Sequence, residues 1–496
     1  MPLFAPRRFQ PPYYPLERPG LPERLFTAFE RTIKSALFGC RMCGNCILQE
    51  TAFICPMACP KGVRNGPCGG STPERCYVDS TRPCIWYRIY ERSERMGRMD
   101  RLLEVQAPLD GRRVGRETWL DLYRHYKERG GLGLKPRDLL DRKKVAEALE
   151  QFFYEVRQPD WWQGDALPHP PTYEGTMSNL EARLKSGAFV VTAEVAPPLS
   201  PSGTLVEKRV RMLADYIDAA NFTDNPSATP RMSSLACALM CLQAGVEPVL
   251  QMTTRDRTRM SVQSDAIGAS ALGVRNILCL SGDHPRLGPS PMAKLEPVDL
   301  DSIQLLWLLR RMRDEGKYLD GREIKNPPRY FLGAAASPYA SRPKYQALRE
   351  EKKVNAGAQF FQTQLIYDFG PFETWLEELD KRNLLGRVYI LAGVGPLRSA
   401  RAAHYMNDEV PGVVVPKEII DRMERAADPQ EEGVQITLEI IDRLKRTPGI
   451  SGIHIMAVGW ESIVPRLVIE SGIERPPKKE EPQPEQVVQA ADLGSL

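Results

Sequence analysis

The stretch AFVVTAEVAPPLSPSG, residues 188–203, begins as a strand and ends as a proline-broken loop. Its β-branched start favours extended backbone, and two adjacent prolines then stop it. In an open doubly wound sheet the first strand would instead feed a glycine-rich phosphate turn before the next helix. That fingerprint is missing, so the chain is read as a (β/α)8 barrel. Seven further apolar runs follow: DAANFTD (218–224), VEPVLQMTT (246–254), VRNILCLSGD (274–283), RYFLGAAASP (329–338), AQFFQTQLIYD (358–368), RVYILAGVGPL (387–397) and ISGIHIMAVGW (450–460). Between them lie amphipathic patterns such as SIQLLWLLRRMRDEG (302–316) and FETWLEELDKRN (372–383). Eight strands, seven intervening helical segments and a closing helix make the barrel's sequence signature.

Working outward, the 496 residues divide into five zones. Residues 1–35 form an N-terminal arm and helix, 36–110 a cysteine-rich, mostly helical metal-binding domain, and 111–175 a helical connector and linker. Residues 176–475 are the barrel, and 476–496 read as a disordered tail, polar and proline-containing. Hydrophobic residues make up 42% and charged residues 26%, with a net charge of +4, too weak a balance to argue for nucleic acid. No run approaches the ~18 apolar residues of a membrane span. The N-terminus lacks a secretory apolar segment, so a cytoplasmic location is expected. In such a reducing compartment, clustered cysteines point to metal rather than disulfides.

Barrel chemistry gathers where strands end. Here several strands end in polar residues set in apolar context: Glu194, Thr223 with Asp224, Gln251 with Thr253, Asp283 and Gln364. Burial would raise the pKa of a carboxyl such as Glu194, which suits a general acid. A loop cap or an arginine partner is the alternative use of the same residue.

Residues from about 188 to 475 resemble the flavin-dependent methylenetetrahydrofolate reductases. The resemblance runs in order through TAEVAPP, FTDNPSA, LQMTTRDR, LSGDHP, KKVNAGAQFFQTQLIYD and GVGPL. It implies a barrel fold, a flavin (FAD, with FMN as the alternative) and a tetrahydrofolate-type substrate. By this resemblance Glu194 protonates a folate nitrogen, opening the five-membered ring to an iminium ion that accepts hydride. Asp283 is the carboxylate near flavin and pterin, and Gln364 the folate-contacting amide. Thr223, Gln251, Leu280, Ser281, Gly282, Asp283, Ala336 and Lys353 fall where the family touches its flavin, Lys353 near phosphate. Gln251 departs from the pattern, since many relatives carry His there.

Eight of the eleven cysteines crowd into one stretch as C-x2-C-x2-C-x8-C-x3-C-x8-C-x7-C-x7-C: Cys40, Cys43, Cys46, Cys55, Cys59, Cys68, Cys76 and Cys84. Eight thiolates suit two sites of four. The opening triple at x2 spacing and the absence of histidine favour one or two [4Fe–4S] clusters, with zinc as the alternative. This block, specific in CPKGVRNGPCGG (59–70), resembles the cysteine-rich partner subunit of acetogen-type methylenetetrahydrofolate reductases over about residues 20–140. Partner and barrel, usually separate chains, read here as fused. The resemblance implies an electron-donor protein such as ferredoxin, or a flavin/iron–sulfur oxidoreductase complex, in place of or beside NAD(P)H, within a larger complex.

Cys237, Cys241 and Cys279 read as buried small apolar residues, and the GVG after the seventh strand as a weak phosphate signal. Three functions compete: a reductase fed through iron–sulfur centres, an NAD(P)H-dependent reductase with a structural zinc module, and a non-catalytic scaffold.

Overall fold

The computed structural model describes residues 20–159, 161–290 and 297–476. The N-terminal arm before residue 20 and the tail after 476 lie outside the described residues.

Eight parallel strands close on themselves: β1 (Val190–Val195), β2 (Ala219–Phe222), β3 (Pro248–Thr253), β4 (Asn276–Leu280), β5 (Phe331–Ala336), β6 (Phe360–Leu365), β7 (Tyr389–Val394) and β8 (Ile450–Ile455). Each pairs with its sequence neighbour, and β1 pairs with β8 to shut the barrel, Val191 opposite Ile453. All eight predicted runs contain a strand. The β7–β8 connection differs from the expected single helical segment by holding three helices, Ala400–Glu409, Lys417–Arg425 and Pro429–Arg446. Prolines at 411, 416 and 429 divide what one helix would have spanned.

Strand alternation sorts the side chains into an outer core and a filled lumen. At the N-terminal end Val190, Ala219, Val249, Leu278, Phe331, Phe360 and Leu391 pack together, plugged by Leu180 and Leu184 of the helix Asn179–Lys185. One layer up, the lumen turns polar. Asn221 Nδ2 donates to Gln362 Oε1 at 2.6 Å, Gln362 Nε2 donates to Asn221 Oδ1 at 3.0 Å and Thr192 Oγ1 at 3.2 Å, and Thr192 Oγ1 meets His454 Nδ1 at 2.9 Å. Burial pushes the His454 imidazole down to about 3, so it is neutral.

The stretch from 161 to 175 reads as a linker but packs as part of the barrel. Trp162 is wholly buried, its indole donating to the Val105 carbonyl at 2.9 Å, and its own carbonyl accepts from Trp307 and Arg311. Two adjacent tryptophans carry too much apolar area to be left in water.

The cysteine-rich segment shares a core with the barrel. Val63, Trp86, Tyr87, Ile89, Tyr90 and Leu102 pack with Tyr345 and Leu348 of the helix Pro343–Asn355. Asp301, which caps the helix Ser302–Asp314, also accepts from Arg64 N–H and Asn65 Nδ2, each at 2.9 Å. The helix Leu21–Phe38 is tied to the stretch that follows this segment, with Glu30 accepting from the backbone amides of Thr118 and Trp119.

Candidate active site

Barrel closure brings Glu194, Thr223, Gln251, Leu280, Asp283, Ala336 and Gln364 to one rim, because each lies at or just beyond the C-terminal end of its strand. Glu194 sits on β1 directly above the neutral polar layer, two residues beyond Thr192. No hydrogen bond reaches its carboxyl among the described residues. Burial, and then the nearby Glu461 carboxylate, push it up to about 7. Glu461 itself is held by Arg209 at 3.4 Å. A carboxyl with no arginine partner is thus poised to be protonated near neutrality.

Asp283 is the opposite case. Its Oδ1 accepts from the Tyr77 hydroxyl at 3.0 Å and its Oδ2 from the Ser227 amide at 2.8 Å. The Ser227 amide is aimed by a turn in which Asn225, Ser227 and Ala228 all adopt positive φ, of 49°, 54° and 51°. Strain of this kind persists where surrounding structure enforces it. The two carboxyl groups therefore differ in what holds them: Glu194 has no hydrogen-bond donor among the described residues, and Asp283 has one on each oxygen.

The remaining rim residues divide by what they already hold. Among the described residues the Thr223 hydroxyl is buried with no partner, as is that of Thr254. Orphaned polar atoms at a barrel mouth are costly unless a ligand completes them. Gln364 uses its amide on the Pro411 carbonyl at 3.3 Å. Gly282 has φ of +71° and lies where a Cβ would meet Thr253 and Arg255 at 3.1–3.2 Å, so a side chain there is strained and crowded. Ser281 Oγ accepts the Ser302 amide at 3.0 Å, and Ala336 is buried. Asp224 holds the loop, accepting from Thr253 N–H and Oγ1 and from Arg257. Lys353 is engaged inside the protein, donating to the Ala335 carbonyl at 2.6 Å and Glu350 at 3.1 Å, with burial lowering its pKa to about 8.

The cysteines fall into two quartets. Cys40, Cys43, Cys46 and Cys55 line one cavity of about 360 Å³. Cys59, Cys68, Cys76 and Cys84 line another of about 600 Å³. None of the eight forms a disulfide. Among the described residues no three His, Cys, Asp or Glu side chains converge on a single-ion site. Backbone amides face several of the sulfurs, while burial pushes the thiols of Cys43, Cys59 and Cys84 up. The Met42 amide lies 3.3 Å from Cys40 Sγ, and amides of Met57, Lys61 and Trp86 face the sulfurs of Cys55, Cys59 and Cys84, two residues earlier in each case. Cys84 stands at the start of the helix Ile85–Arg95, with the amides of Trp86 and Tyr87 facing its sulfur. A sulfur–sulfur hydrogen bond holds Cys55 low, near 6, and its partner Cys40 high. Cys237, Cys241 and Cys279 are buried as expected.

Sequence reasoning missed the polar lumen layer and two residues from the cysteine segment, Tyr77 and Lys61. Lys61 Nζ donates to the Gly282 carbonyl at 2.5 Å. Alternation along β8 could have turned His454 inward, but no local signal announces a contact spanning 206 residues, as Tyr77–Asp283 does.

A parallel barrel with an uncommitted acid, a held carboxylate and orphaned hydroxyls on one rim defines a (β/α)8 ligand-binding barrel of enzyme type. The family pattern described as methylenetetrahydrofolate reductase matches residues 179–472, more than half the sequence, and the chain belongs to that family. A second pattern, described as methylene-tetrahydrofolate reductase C terminal, matches residues 21–112, ahead of the barrel. A Caenorhabditis elegans protein named probable methylenetetrahydrofolate reductase (NADPH) is 25% identical over 268 residues, covering 51% of this chain and 37% of the relative. The chain thus spans little more than a third of that relative's length. An uncharacterized Clostridium thermocellum protein, solved with two copies of 5-methyl-5,6,7,8-tetrahydrofolic acid, aligns with a TM-score of 0.45 at 17% identity, covering 60% of this chain and 98% of that one.

Proposed function

We propose that this chain catalyses the reversible reduction of 5,10-methylene-tetrahydrofolate to 5-methyl-tetrahydrofolate. The observation that carries the reading is Glu194, an acid near neutrality with no partner on the rim of a family barrel. Glu194 would hold a proton and deliver it to a folate nitrogen as the five-membered ring opens. The neutral layer of Thr192, Asn221, Gln362 and His454 beneath it adds no charge to oppose that proton. Asp283, fixed at both oxygens, would orient the pterin, and Gln364 would offer its amide to the folate.

A flavin fits the same rim: Thr223, Thr254 and Gln251 offer polar atoms, and Gly282 gives a close backbone approach. Bound there, FAD or FMN would supply the hydride equivalent that the side chains cannot. The two quartets fit metal centres, each set having four sulfurs and backbone amides directed at them. Iron–sulfur clusters, the first choice, would supply one-electron capacity; zinc would be structural. Electrons would then come from ferredoxin or a flavin/iron–sulfur oxidoreductase. Direct use of NAD(P)H is the second reading, favoured by the name of the Caenorhabditis elegans relative.

The test is turnover of 5,10-methylene-tetrahydrofolate by the flavin-loaded protein and its Glu194→Gln variant. The variant should keep its flavin and lose about 10²–10⁴-fold in rate. Equal turnover by both would remove Glu194 from the reaction, and no turnover by the unaltered protein with any donor would remove the reading.

A further inference from the structure

We propose that Tyr77, contributed by the cysteine-rich segment, is a positioning residue for Asp283, so that this segment completes the barrel's folate site. The inference rests on the function proposed above. Tyr77 follows Cys76 immediately in the chain. Its amide donates to Ser71 Oγ at 3.1 Å, and Ser71 Oγ lies 3.2 Å from Cys68 Sγ. The backbone of Tyr77 is therefore tied to the second quartet, while its hydroxyl ends on Asp283 Oδ1 at 3.0 Å.

Four neighbouring contacts fix the approach. Lys61, between Cys59 and Cys68, donates to the carbonyl of Gly282, the residue before Asp283. The Lys61 carbonyl accepts from the Val298 amide at 3.0 Å, anchoring that stretch of the segment to the loop beyond β4. Gly70 lies flat against the Tyr77 ring, where an added Cβ would come within 2.7 Å of Cδ2. Gly69 lies against Ser337, just beyond β5, where a Cβ would meet the hydroxyl at 2.6 Å. The glycine pair thus lets the segment settle on the rim with Tyr77 pointing in.

The consequence for Asp283 is specific. Ser227 holds one carboxylate oxygen from the barrel side, and Tyr77 holds the other from the cysteine side. With only Ser227 the carboxylate keeps one fixed oxygen and gains rotational freedom. A phenol-to-carboxylate hydrogen bond is charge-assisted and among the stronger kinds. Its loss should weaken any ligand that needs Asp283 in one orientation.

The experiment is a double-mutant cycle on folate affinity. 5-Methyltetrahydrofolate is titrated calorimetrically into the flavin-loaded full chain, into Tyr77→Phe, into Asp283→Asn, and into the double variant. Flavin content, metal content and Tm of each variant establish that it is folded and loaded. Tyr77→Phe keeps the ring and its packing, and should weaken folate binding about tenfold or more. In the Asp283→Asn background the same change should have little further effect. Unchanged affinity in Tyr77→Phe, or losses that simply add in the double variant, would overturn the positioning role while leaving the proposed function intact. Absence of folate binding by the unaltered protein would overturn both.

Discussion

The barrel and the cysteine-rich segment are held in place by different physics. Each barrel strand satisfies its backbone through two neighbours and buries apolar faces on both sides, so hydrophobic alternation specifies it. Between Gly39 and Cys84 the only regular element is the short turn Pro56–Ala58. There the backbone is satisfied piecemeal, by Asp301, by Thr51 and by the carbonyls of nearby turns. A segment so poor in ladders has to be fixed by side-chain chemistry, such as Asn65 on Asp301 and the Arg64 guanidinium on the Ala107 carbonyl. The barrel is specified by pattern, the cysteine segment by the surface it sits on and, on the reading proposed above, by ligands to its thiols.

That contrast is broken or sharpened by substitutions that touch one side only. The largest effect is expected from Cys59→Ser. It should remove one of the two proposed metal centres and lower Tm by on the order of 10 °C, since a bound structural metal contributes directly to folding. Folate affinity should fall with it, because Lys61 and Tyr77 lie in the same loops. Cys43→Ser should remove the other centre and leave folate affinity near its original value, as measured by metal analysis beside titration. Equal loss of folate binding in both would erase the distinction between the quartets.

Next in size is the pH dependence of folate reduction. A Glu194 that titrates near 7 and must be protonated predicts a rate falling about tenfold per pH unit well above that point. A flat profile from pH 6 to 9, with the chemical step rate-limiting, would contradict it. Gly393→Ala tests whether the GVG of β7 serves packing. An added Cβ would lie 2.6–2.7 Å from the Thr363 and Gln364 carbonyls and the Met456 methyl. The expected cost is roughly 1–3 kcal/mol of stability, read by denaturant unfolding.

The smallest effect concerns Glu194 and stability. Its pKa is raised on folding, so the folded state binds the proton more tightly than the unfolded chain. Stability is then fully present below the ordinary glutamate value of 4.5 and is lost as pH rises through about 7. Glu194→Gln should therefore unfold at higher temperature than the unaltered protein at pH 8, by a few degrees at most, and show no advantage at pH 4. The same difference at both pH values would mean that the carboxyl titrates normally.

Much of this was legible before the structure. The eight strands were readable because a period of two and terminal turn residues mark each one. Glu194 stood out because a carboxylate in a β-branched strand needs a reason to be there. The three helices between β7 and β8 were less readable, since proline breaks resemble loops. The rim contacts of Lys61 and Tyr77 were not readable at all. They depend on how the cysteine segment docks across the barrel, which no local periodicity encodes. The same holds for the partition of the thiols: x2 spacing grouped the first three, but only the folded chain adds Cys55 to them and leaves Cys59 to the second set.

The most direct test of the account is iron, acid-labile sulfide and flavin per chain on anaerobically purified protein, with visible spectra before and after dithionite. Two separate quartets and a flavin-fitting rim predict about eight irons with matching sulfide, one flavin, and bleaching on reduction. Zinc without sulfide, beside a full complement of flavin, would contradict the electron-relay role and leave a reductase driven by NAD(P)H.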